Sequence, residues 1–99
     1  MKTFKEIQEI LQSEKAHLAR EYGITEIGVF GSYVRGEQRT DSDIDILIAL
    51  EEPPRMDLFD LVRLEDHLSQ LLGAEVDIAI KASLRRRIGQ RILREVVPL

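Results

Sequence analysis

The sequence has no cysteine, which excludes a disulfide framework and a thiolate metal site. It has no apolar run approaching the roughly 20 residues of a membrane span, so no transmembrane helix is expected. The N-terminal MKTFKEIQEI interleaves charged with apolar residues and does not read as a signal peptide. A cytoplasmic location is the expectation, with no membrane association. Positive charge is also in short supply: 14 Lys and Arg face 18 Asp and Glu, for a net charge of −4. That argues against a general nucleic-acid binder, which needs a broad basic face. It leaves room for a single nucleotide held through a metal. Asparagine is absent as well, while Glu and Arg are abundant, a composition that hints at a heat-adapted source.

What remains is the composition of an ordinary soluble domain, 43% hydrophobic and 32% charged. Ninety-nine residues suffice for one domain, 1–99, and leave no room for a second core. A chain of this size buries somewhat over ~60% of its unfolded surface, enough for a stable globule.

Apolar residues at Phe4, Ile7, Ile10, Leu11, Leu18 and Tyr22 follow helical spacing and predict a helix over Thr3–Tyr22, stopped by Gly23. A strand, Ile24–Phe30, follows, with Ile27 and Val29 on one face. Ser32 has the chemistry of a helix N-cap, and a short helical turn is expected from Tyr33 to about Glu37. Asp43–Leu50 reads as a second strand, with Ile44, Ile46, Ile48 and Leu50 on one face. Asp43 and Asp45 share its other face with Leu47 and Ala49. Asp57 caps a further helix that Gly73 closes, and Ala74–Ile80 is a third strand with Glu75 and Asp77 opposite its aliphatic row. A last helix is expected from Ser83, with Leu84, Ile88, Ile92 and Val96 on one side. The order predicts an α/β (α+β) domain, a small mixed sheet with helices packed mainly on one face.

Chemistry concentrates in FGSYVRGEQRTDSDIDILIAL, residues 30–50. An ionised carboxylate within a sheet is costly unless it is paired or coordinated. If the last two strands are neighbours, Asp43, Asp45 and Asp77 converge, and their mutual repulsion calls for a cation. Hard divalent ions suit an all-oxygen set, and Mg²⁺ in particular is held by a few carboxylates together with substrate phosphates. Two such ions can clamp the attacking and leaving oxygens of a phosphoryl displacement. Gly31 lets backbone approach a ligand closely, and Ser32 adds a hydroxyl donor. Arg35, one helical turn on, can face the same anion. Each acid alone could be structural, capping a loop, pairing with Arg35 or Arg39, or ending a strand. All three on matching faces behind a Gly-Ser turn make a site the better reading.

Three other features carry less. His17 and His67 have no second ligand at metal spacing and read as packing or solvent-facing residues. Tyr33 could stack on a base, although packing fits it better. Arg85-Arg86-Arg87 opposes the dipole of the helix it opens, which suggests an acidic partner surface or a nucleotide's phosphates, or else a solvated face.

Gly31-Ser32, ten residues, then Asp43-x-Asp45 resembles the GS-x10-D-x-D signature of the DNA polymerase beta-like nucleotidyltransferase superfamily. The likeness runs closely from Gly28 to Ile48, and Asp77 in AEVDIAI matches the third acid on a later strand. Short length and the lack of a second domain make the chain similar to minimal nucleotidyltransferases, the MNT antitoxins of type VII-like HEPN–MNT toxin–antitoxin pairs. The resemblance implies a nucleotidyltransferase fold in which Asp43 and Asp45 ligate two Mg²⁺ ions and Asp77 completes the site near the attacking hydroxyl. Gly31, Ser32 and Arg35 would be the nucleotide-binding residues for ATP. The implied reaction moves AMP onto a tyrosine of a partner HEPN ribonuclease toxin, in a hetero-oligomer. Two alternatives stand beside it: a non-catalytic antitoxin acting by occlusion, and a small-molecule, aminoglycoside-type transferase with its acceptor site built across a dimer.

Overall fold

A computed structural model describes residues 2–99. The elements are α1 (Phe4–Tyr22), β1 (Ile24–Phe30), α2 (Ser32–Arg35), β2 (Ile44–Leu50), α3 (Leu58–Leu72), β3 (Val76–Ile80), α4 (Arg86–Glu95) and β4 (Val97–Pro98). A single 3₁₀ turn, Lys81–Ser83, leads into α4.

Local chemistry accounts for most of these bounds. α1 and α3 both open with a reciprocal capping box, Thr3 with Glu6 and Asp57 with Asp60, and both close on a left-handed glycine, Gly23 and Gly73. The strands alternate as their residue types require. Ile27 and Val29 of β1 face Ile48 and Ile46 of β2 in an antiparallel ladder, and β2 pairs with β3 in parallel. The sheet order is β3-β2-β1-β4, a mixed four-stranded sheet. Its core lies on the Ile44–Ile46–Ile48 side, against Ile7, Leu11 and Leu18 of α1 and Leu64, Leu68 and Leu72 of α3. Helices therefore cover mainly one face. The end of α4 lies along part of the other, where Val96 packs so tightly on Gly28 that a Cβ there would meet its Cγ2.

β3 is an edge strand, and α3 covers part of that edge: the amides of Val76 and Ile78 donate to Ser69 Oγ at 3.1 Å and Glu65 Oε2 at 3.3 Å. His67 and Glu14 join α3 to α1 through Nε2 and Oε1 at 2.8 Å. His67 is thus a helix-packing residue, and the exposed His17 lies beside it at 6.0 Å between rings. Among the described residues, no helix is long and apolar enough to cross a membrane.

Several expectations need correction. The N-cap of α2 is Gly31 and not Ser32, because Gly31 supplies the turn with φ 84° and ψ −153°, a conformation open essentially to glycine alone. α2 stops at Arg35 because Gly36 is left-handed. β2 and β3 begin at Ile44 and Val76, so Asp43 sits just before its strand, and α4 begins at Arg86 because Lys81–Ser83 form their own turn. Finally, the chain after Glu95 leaves the helix and adds the short strand β4 beside β1.

Candidate active site

Parallel pairing of β2 with β3 sets Asp45 directly opposite Asp77. Adjacent in-register residues on one sheet face lie roughly 5 Å apart. Asp43, two residues before Asp45 and just outside the strand, lies near enough for its charge to act on Asp45. The antiparallel partner of Asp45 on its other side is Phe30, whose successor is Gly31. A Cβ at Gly31 would collide with Asp45 Oδ2, so the glycine turn and the central carboxylate are in direct contact. The fold thus brings together the two halves of the 30–50 segment and draws in Asp77 from a distant part of the chain.

The electrostatics bear the marks of crowding. Burial, followed by the charges of Asp77, Asp43 and Glu95, pushes the Asp45 carboxyl from 3.8 up to about 6, with Arg35 opposing. Asp45 is half-buried, while Asp43 and Asp77 are exposed. Among the described residues no three Asp, Glu, His or Cys side chains are grouped closely enough to hold an ion unaided. Stacked carboxylates that repel one another nevertheless offer the hard oxygen donors that Mg²⁺ takes, in a number that leaves positions for water and phosphate. The donor set fits such an ion.

Arg35 is not free. Its Nε donates to Glu37 Oε1 at 2.6 Å and its Nη1 to Glu95 Oε1 at 2.5 Å. The other oxygen of Glu95 accepts the Gly31 N–H at 3.1 Å. Burial resists ionisation of Glu95, but the hydrogen bonds from Arg35 and Gly31 outweigh it and hold the carboxyl below its usual range. Glu95 escaped the sequence reading, since nothing in the phase of α4 distinguishes it from any other solvent-side acid. A cleft of about 230 Å³ opens here, lined by Gly31, Arg35, Asp45, Ile88, Arg91 and Glu95 among others. Tyr33 is 3% exposed and part of the core, which settles its role as packing.

An acid pair in register across parallel strands, flanked by a glycine turn pressed on one of the carboxylates, is an arrangement suited to holding a divalent ion beside a phosphate. The chain belongs to the nucleotidyltransferase domain family, whose pattern it matches over residues 5–97. The protein adenylyltransferase MntA of Thermococcus cleftensis is 50% identical over 97 residues, spanning 98% of this chain and 96% of that protein. A solved structure assigned as a minimal nucleotidyltransferase is 38% identical, with a TM-score of 0.82 and coverage of 99% of this chain and 97% of the other. A complex of a tri-AMPylated Shewanella oneidensis HEPN toxin with an MNT antitoxin contains a chain of the same fold, at 22% identity and a TM-score of 0.65. That alignment covers 92% of this chain and 70% of the other.

Proposed function

We propose that this protein is the antitoxin of a HEPN–MNT pair and acts as a Mg²⁺-dependent protein adenylyltransferase. It moves AMP from ATP to a tyrosine of its HEPN ribonuclease partner. The observation that carries the reading is the Asp45–Asp77 register beside Gly31, which sets paired acids against a glycine turn at one end of the sheet. The named activity of the Thermococcus relative, 50% identical along nearly the whole chain, supports the same chemistry.

In this reading Gly31 and Ser32 hold the β- and γ-phosphates of ATP, with Arg35 facing them. Asp43, Asp45 and Asp77 would hold two Mg²⁺ ions, which supply charge neutralisation for the triphosphate and the leaving group. The tyrosine oxygen attacks the α-phosphorus in line and forms a new P–O bond. The bond from the α-phosphorus to the bridging oxygen breaks, and diphosphate departs. The phenol proton passes to Asp77. Catalysis rests on placement and on fixed charges already aimed at the reacting group.

A protein acceptor suits the surface. Leu58, Phe59 and Val62, adjacent on one side of α3, are 72%, 79% and 52% exposed, a cluster characteristic of protein contacts. Incubating the purified protein with MgATP and a HEPN partner protein, then weighing the partner by intact-mass spectrometry, tests the assignment. Mass increments of whole AMP units on a partner tyrosine are expected. An unmodified partner in a stable complex would favour occlusion instead. AMP on a free aminoglycoside, with no partner protein present, would point to the small-molecule reading.

A further inference from the structure

Glu95 is the last residue of α4, and its carboxylate reaches the Gly31 turn, 64 residues away in sequence. One oxygen takes the Gly31 N–H and the other takes the Arg35 guanidinium, at 3.1 and 2.5 Å. The side chain is 17% exposed, so most of it is withdrawn from water. An amide and a guanidinium so arranged are the donors that the reading above gives to a phosphate of the nucleotide. Carboxylate and phosphate present such donors with the same feature, a pair of anionic oxygens. Gly31 has only one N–H and cannot serve both.

We propose that Glu95 is an internal competitor of the nucleotide's phosphates, a carboxylate that must leave Gly31 and Arg35 before the triphosphate is fully seated. Glu95 thereby sets the affinity for ATP. The inference rests on the reading that the Gly31–Ser32 turn holds phosphate.

Two further observations support it. Glu95 stands among the groups that oppose ionisation of Asp45, so it adds negative charge to a wall already carrying Asp43, Asp45 and Asp77. A carboxylate fixed there would repel a polyanion, whereas a displaced one would free an amide and a cation for it. Glu95 also has somewhere to go. Arg91 lies one helical turn earlier on α4, lines the same cleft, and forms no ion pair among the described residues. Residues four apart on a helix are neighbours, so the exchange requires a change of rotamer rather than movement of α4.

The test is calorimetric titration of the full chain with the α,β-methylene analogue of ATP and Mg²⁺, on wild type and Glu95→Gln. The amide keeps the size of Glu95 and an acceptor for Gly31 but releases its charged hold on Arg35. Binding by Glu95→Gln is expected to tighten roughly tenfold, equivalent to about 1.4 kcal/mol, at a little-changed melting temperature. In the double-mutant cycle, Arg91→Gln weakens binding when Glu95 is present and has less effect in Glu95→Gln. Equal or weaker binding by Glu95→Gln overturns the inference, because a residue that merely braces the turn loses affinity when altered. Should Glu95→Gln fold poorly, Glu95→Asp, too short to span both donors, is read by the same sign. If the analogue binds neither wild type nor any Glu95 variant, the phosphate-holding reading fails as well, which separates that failure from this one.

Discussion

Asp45 carries the electrostatic strain of this molecule. Its carboxyl is raised to about 6 by burial and by the neighbouring acids, so the folded chain holds the proton more tightly than the unfolded chain does. Ionisation therefore opposes folding. The favourable contribution is fully present below about pH 3.8, the ordinary value, and is lost as pH rises through about 6. Asp45→Asn removes the penalty. Discounted for partial exposure, the gain near neutral pH is about 1 kcal/mol, or a melting temperature higher by roughly 4–8 °C. Thermal melts of both proteins at about pH 7 and about pH 3.5 check this, since the difference should close at the lower value. An equal difference at both would show that charge is not its source. The neighbouring Gly31 explains why Asp45 stays in so costly a place: only a residue without Cβ can share that corner with its Oδ2. Stability is conceded at a site that needs acids close together.

Among the elements, α1 and α3 follow the rules for starting a helix and α4 breaks them. Its N-cap is Arg85, whose side chain makes no capping bond, and Arg86 and Arg87 fill its first turn with charge of the wrong sign for the dipole. Arg85→Asp should stabilise the protein by about 1 kcal/mol, measured by denaturant unfolding, as a new cap and a reversed charge act together. A destabilised variant would mean that Arg85 makes a contact worth more than a cap. The contrast also shows why some elements were legible and others were not. The glycine stops of α1 and α3, the Asp57 cap, the two-residue alternation of β1–β3 and the spacing of Asp43 and Asp45 are local patterns, readable from a few neighbouring residues, whereas the Thr3 cap was read as part of α1 itself. Asp77 was readable because its alternation matched theirs, although its pairing with Asp45 had to be seen. β4 was not readable: it is two residues long, one of them a proline that cannot donate to the ladder. Glu95 was hidden for the opposite reason, since its importance lies wholly in contacts made across the chain.

At the scale of the whole molecule, strand order decides the chemistry. With β2 between β1 and β3, the central strand receives the glycine turn from one neighbour and the third acid from the other. The same sheet leaves α3 free to present Leu58, Phe59 and Val62 outward, so the Asp45–Asp77 pair and an exposed apolar patch belong to one small body. The central claim is that this body transfers AMP through Asp43 and Asp45 to a protein acceptor. Transfer of label from α-labelled ATP to the HEPN partner measures it most directly, comparing wild type with the Asp43→Asn, Asp45→Asn double variant in complexes of equal occupancy. The account predicts labelled partner with wild type and a loss of at least roughly a hundredfold with the double variant, on the scale of removing one preorganised electrostatic group. Undiminished labelling by the double variant would contradict it.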